Sequence, residues 1–145
     1  MLLRRLPDRI DLLKKVPLFS GLSRRHLGLI VRETERVNAD RGKVLARQGA
    51  LGREFLLIVD GSARVERDGK VIARLGAGDF FGEMSLIDKK PQSATVTAET
   101  AIDLLVVDAR SFRNLLDTVP GLQKKILITL CERLRGADAA LGSRN

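Results

Sequence analysis

Gly78-Asp79-Phe80-Phe81-Gly82-Glu83-Met84-Ser85-Leu86-Ile87, followed after three residues by Pro91-Gln92-Ser93-Ala94-Thr95-Val96, decides how this chain reads. The order is a glycine turn, a very short helix, a basic loop and a strand. Backbone N–H groups at the start of a short helix can hold a phosphate. A carboxylate at the same helix start, here Glu83, can accept hydrogen bonds from hydroxyl groups.

Outward from that stretch the pattern is β. Short runs rich in Val, Ile and Leu lie between about Glu33 and Val107, separated by turn signals at close spacing. The expected strands are Thr34–Val37, Lys43–Ala46, Glu54–Val59, Ser62–Glu66, Val71–Leu75, Ser93–Ala98 and Ile102–Val107. Asp60-Gly61 and Asp68-Gly69 read as tight hairpin turns. Seven strands are bounded here, and a set of eight short strands with hairpin joints suggests a closed or double-sheet roll rather than a parallel sheet.

Helices flank this region. Asp8 is the expected cap of a first helix through Lys15, which Pro17 ends because its ring and missing N–H cannot continue it. Ser23 reads as the N-cap of a second helix through Val31, with Leu27, Ile30 and Val31 inward. After the β region, Asp108 can cap a helix over Ala109–Thr118, with Phe112, Leu115 and Leu116 on one face. Pro120 suits the first turn of a last helix to about Ala140. Leu122, Ile126, Leu130, Leu134, Ala137 and Leu141 make an apolar stripe of helical period along it. The tail from Gly142 to Asn145 is expected to fray.

The quoted stretch resembles the phosphate-binding cassette of the cyclic-nucleotide-binding domain family. That family includes the catabolite activator protein, the regulatory subunits of protein kinase A and the cyclic-nucleotide-gated channels. Val16-Pro17-Leu18-Phe19, Leu22-Ser23, the run Gly42 to Gly49 and the run Phe55 to Gly61 with Val65 match in the family's order. The resemblance implies an α+β, mainly β fold: an eight-stranded antiparallel β-roll or jelly roll with N-terminal helices and two C-terminal helices. One domain over residues 1–145 is expected, with helices in 1–32, the roll in 33–107, its cassette in 78–96, and helices in 108–141.

By the same resemblance, Gly82 lets the backbone approach a ribose and Glu83 accepts from its 2′-hydroxyl. Met84 and Ser85 supply backbone N–H groups, and Ser93 and Ala94 form the small pair beneath the cyclic phosphate. The implied ligand is cAMP or cGMP, and no cofactor or metal is expected. One position departs. Where the family usually places the arginine that pairs with the phosphate, this chain has Gln92. A glutamine amide donates a hydrogen bond but carries no charge, whereas arginine offers a charged fork. Three outcomes follow: weak binding of the cyclic nucleotide, a different or uncharged ligand, or an empty pocket kept for protein contacts. Lys89 and Lys90 lie just before Pro91 and add positive potential or simply face water.

Composition bounds the alternatives. The 145 residues are 44% hydrophobic and 30% charged, as in an ordinary globular protein. The formal charge is +8, concentrated at the start. There Arg4, Arg5, Arg9, Lys14, Lys15, Arg24, Arg25 and Arg32 face only Asp8 and Asp11. Such an end fits nucleic acid, anionic lipid, an acidic partner or a solvated helical surface. With no Trp or Tyr and five Phe, stacking platforms for single strands are scarce. His26 is the only histidine and Cys131 the only cysteine, which argues against a metal cluster, an internal disulfide and hydrolase triads. Cys131 is expected to be buried on its helix. No run is apolar enough for a membrane span or a secretory signal, so a cytoplasmic location is expected.

The leading functional expectation is a non-catalytic sensor or regulatory domain whose last helix acts as a lid, or as a homodimer seam through Leu122, Ile126, Leu130 and Leu134. Specific duplex DNA binding is not expected of these 145 residues, because the chain ends before a helix-turn-helix would fit. That reading revives if the sequence is part of a longer catabolite-activator-like regulator. An enzyme is the least supported class.

Overall fold

Alternation along two strands explains the layout. The computed structural model describes residues 6–142. In chain order it has α1 (Leu6–Lys14), a 3-10 turn (Pro17–Phe19), α2 (Arg24–Arg32), β1 (Glu35–Ala39), β2 (Val44–Ala46), β3 (Glu54–Asp60) and β4 (Ala63–Arg67). It continues with β5 (Lys70–Leu75), β6 (Phe80–Phe81), α3 (Glu83–Asp88), β7 (Thr95–Ala98), β8 (Ile102–Asp108), α4 (Ala109–Thr118) and α5 (Leu122–Gly142). β3 and β8 pair antiparallel with Leu56 opposite Val106 and Leu57 opposite Leu105. Successive side chains leave opposite faces of a strand. Phe55, Leu57, Leu105 and Val107 therefore pack outward against the helices, while Leu56, Ile58, Leu104 and Val106 fill the space between the sheets. Burial on both faces is why these two strands read as unbroken apolar runs.

The eight strands form two four-stranded antiparallel sheets, ordered β1-β8-β3-β6 and β2-β7-β4-β5. The expected double-sheet roll is present, with two helices before it and two after. β6 is only Phe80–Phe81, paired to Leu57 and Leu56. Phe80 joins the helix-side core and Phe81 the inner one. The Asp60-Gly61 hairpin is a correction. β3 and β4 lie in different sheets, so this pair is a corner where the chain changes sheet. Gly61, at φ 97°, passes close over Ala101 and Ile102, and Ser62 N–H is held by Thr100 Oγ1 at 3.0 Å. Asp68-Gly69 is a true two-residue hairpin between β4 and β5, both residues at positive φ.

The helix signals are mostly realised. Ser23 Oγ accepts from His26 N–H at 3.1 Å, and Asp108 accepts from Ser111 N–H at 2.8 Å. Each such cap contributes about 1 kcal/mol. Asp8 is not the cap of α1, which already begins at Leu6. Pro120 precedes α5 rather than entering it.

The stripe on α5 divides. Leu122 and Ile126 are buried in the domain's own core and Leu130 packs at its edge, whereas Leu134 is 63% exposed. The side chains of Ala137 and Leu141, the first five residues and the last three lie outside the described residues. Cys131 is exposed, contrary to expectation, because it sits on the outer side of α5. No described helix is long and apolar enough to cross a membrane.

Candidate functional site

β6 delivers the chain into Gly82, which turns it into α3 at φ 94°. A side chain at 82 would run into the backbone carbonyl of Glu54 on β3, so close packing as well as backbone conformation demands glycine here. That turn swings Glu83 inward, to 2% exposure. A buried carboxylate needs a partner. It is Arg133 of α5, whose Nη1 donates to Glu83 Oε1 at 3.0 Å. Arg133 Nη2 donates to the Phe80 carbonyl at 2.6 Å, and the guanidinium carbon lies 4.6 Å from the Phe80 ring centroid. One arginine thus joins α5 to three groups at the entry to α3. Burial pushes the Glu83 carboxyl above its ordinary value. The charge and hydrogen bond of Arg133 and the N–H groups of Glu83 and Met84 pull it back only in part.

Arg133 was missed by the sequence reading, although a signal existed. It follows Ile126 by seven positions and Leu130 by three, which puts it on the same helix face. The inward stripe steps from Leu130 to Arg133, not to Leu134.

The second half of the stretch is held by different means. Ser85 is buried, and its hydroxyl donates to the Lys90 carbonyl at 2.6 Å while accepting from Gly52 N–H at 2.9 Å. Gly52 lies against both Ser85 and the Gln92 side chain, where no larger residue would fit. The backbone of Gln92 is pinned on both sides, its N–H donating to Ala50 and its carbonyl accepting from Gly49, each at 2.8 Å. Leu51 and Pro91 form an isolated bridge. Gln92 is half-buried and Ser93 exposed. The Ser93 carbonyl accepts from Arg67 Nε at 3.0 Å. Ala94 is half-buried just before β7. Met84 points to solvent at 55% exposure. Lys89 and Lys90 are exposed, and Lys89 closes α3 in the left-handed region at φ 60°.

The structure therefore brings Ser85 and Gln92 together across Gly52 and sets Gly82 and Glu83 under α5. Glu83 offers a fixed acceptor for hydroxyl hydrogens. The Gln92–Ala94 end offers an amide and a hydroxyl without a formal charge. Among the described residues, no group of His, Cys, Asp and Glu is arranged to hold a metal ion.

The family model for the cyclic nucleotide-binding domain matches residues 36–119. The chain is 37% identical over 115 residues to the cAMP-dependent protein kinase regulatory subunit of Schizosaccharomyces pombe, covering 79% of this chain and 28% of that one. Among solved structures, the catabolite activator protein of Thermus thermophilus superposes with a TM-score of 0.79 at 33% identity, over 87% of this chain and 62% of that one. A cAMP-bound PfPKA-R gives a TM-score of 0.82 at 26% identity, over 94% of this chain and 47% of that one. The chain spans only part of each of these relatives.

Proposed function

The chain belongs to the cyclic nucleotide-binding domain family, and we propose that it acts as a non-catalytic sensor or regulatory domain taking cAMP or cGMP in the cassette, with affinity limited by Gln92. The observation that carries the reading is Glu83. A carboxylate at 2% exposure is costly to maintain, and this one sits where a ribose hydroxyl is expected to find its acceptor. Gly82, Met84, Ser85, Ser93 and Ala94 complete the proposed site around it. Arg133 gives that site an output: a hydroxyl bonded to Glu83 bears on the same carboxylate that holds α5.

Calorimetric titration of the purified chain with cAMP and with cGMP tests this. The expected result is micromolar or weaker binding, since a neutral donor in place of a charged one forgoes about 1.5–3 kcal/mol, or about 10- to 150-fold. Absence of heat and of amide chemical-shift change at millimolar nucleotide would overturn it. A ligand-free regulatory or protein-interaction module is the second reading, favoured by the uncharged Gln92 together with an α5 already docked on Glu83. Being the ligand-domain part of a catabolite-activator-like regulator belongs to the proposals too, as does a cytoplasmic location, to whose reducing milieu the exposed thiol of Cys131 is suited.

Self-association through α5 is a further part of this proposal, with its candidate seam moved outward. Leu127, Ile128 and Leu134 are exposed, while Leu122 and Ile126 are engaged in the domain's own core. Leu134→Glu is the informative substitution, and Ile126→Glu would unfold the domain instead. Duplex DNA is proposed to bind this chain only weakly and with steep salt dependence, through the basic first 32 residues.

A further inference from the structure

Side-chain alternation on β4 places an arginine where the cassette lacks one. Ala63 is fully buried in the core between the sheets, and Val65 packs against that core. Arg64 and Glu66 pair with each other on the opposite face. Arg67 continues the Ala63–Val65 series, so its side chain leaves the strand on the interior side, at the mouth of the roll. There Nε donates to the carbonyl of Ser93 at 3.0 Å, one residue beyond Gln92. Among the described residues Arg67 has no carboxylate partner. Its position is fixed by the hairpin that follows. Gln48 donates through Nε2 to Asp68 Oδ1 at 2.9 Å and accepts from Asp68 N–H at 3.0 Å. The Gln48 N–H is in turn held by Thr95 Oγ1 at 2.9 Å. The tip of the β4–β5 hairpin is thereby tied to the start of β7, and Arg67 with it.

We infer that Arg67 is the charge partner of an anionic ligand in this cassette, supplying from β4 the guanidinium that position 92 does not. The inference rests on the nucleotide-binding reading and adds a specificity residue to it. Nε is occupied by Ser93, which leaves the two Nη groups, a charged pair of donors, to meet phosphate oxygens. Arg67 is exposed, as Lys89 and Lys90 are, but its guanidinium is anchored on Ser93, whereas neither lysine side chain has a hydrogen-bond partner among the described residues.

The test is a double-mutant cycle read by calorimetry with cAMP, with adenosine as a phosphate-free probe. Arg67→Ala should weaken cAMP about tenfold or more, leave the melting temperature and adenosine binding unchanged, and flatten the salt dependence of cAMP binding. Arg67→Lys should retain part of the affinity. Gln92→Arg should improve the Arg67→Ala variant more than it improves the wild type, because it then restores the missing guanidinium at the phosphate end of the site. An Arg67→Ala variant that is folded and binds cAMP as the wild type does would overturn the role of Arg67 while leaving the nucleotide reading intact. An equal loss for adenosine and cAMP would also overturn it, since a charge partner acts on phosphate alone. A wild type that binds neither at millimolar concentration would overturn the reading and the inference together.

Discussion

The two ends of the proposed cassette are built on opposite terms. At the Gly82–Glu83 end a carboxylate is buried, ion-paired and capped by a helix that comes from fifty residues away in sequence. At the Gln92–Ser93 end the side chains are half-buried or exposed, and the rigidity lies in backbone hydrogen bonds to residues 49 and 50. The first end ties site and fold into one unit, so damage there should register as lost stability. The second end is a fixed backbone carrying replaceable side chains, so damage there should register as changed affinity.

The sharpest way to break this contrast is Arg133→Ala. It leaves Glu83 buried without its partner, and a loss of about 2 kcal/mol is expected in denaturant unfolding at neutral pH. That is below the usual cost of breaking a buried pair because Arg133 itself is 38% exposed. Adding Glu83→Gln to the same chain should recover much of it. An unchanged midpoint for Arg133→Ala would show that α5 is held by Leu122 and Ile126 alone.

Gln92→Arg should come next in size. It is expected to tighten cAMP about tenfold, or about 1.4 kcal/mol, with the stability midpoint moved by no more than about 0.5 kcal/mol. A variant that is folded but no tighter would mean that position 92 does not reach the phosphate.

The pH response is smaller and more diagnostic. Burial raises the Glu83 carboxyl in the folded chain, so between its unfolded value of about 4.3 and its native value the folded state binds the extra proton. Stability from this group is therefore greatest below that window and is lost as pH rises through it, with no further change above. The difference between wild-type and Glu83→Gln stability curves should show that fall, and a flat difference would remove burial as the dominant influence. The smallest effect is expected for Lys89→Ala or Lys90→Ala, within about 0.5 kcal/mol in stability.

Much of this was legible in the residues themselves. The roll followed from short apolar runs and glycine turns, and Ser23 and Asp108 announced their helices by type and position. What stayed hidden depended on which strand neighbours which. Asp60-Gly61 and Asp68-Gly69 carry the same dipeptide, yet the second turns a hairpin and the first changes sheet, because Gly61 packs against residues 101 and 102. Phe80-Phe81 is too short to show a period, and its two faces acquire meaning only from β3. Arg133 looked like one more surface charge, since a helical period identifies a face but not what that face meets. Arg67 was passed over for the same reason. Its direction follows from β4, but its neighbour Ser93 lies in the bend before β7, twenty-six residues on.

Cys131 turns these questions into something that can be watched. It is the only thiol of the chain, it is exposed, and it lies on α5 two residues before Arg133. A single maleimide-linked fluorophore or nitroxide can therefore be attached without first removing other cysteines, half a helical turn from the contact with Glu83. Emission or spin mobility at that one position would register whether the helix stays seated or lifts when a nucleotide is added, in the native sequence and in real time.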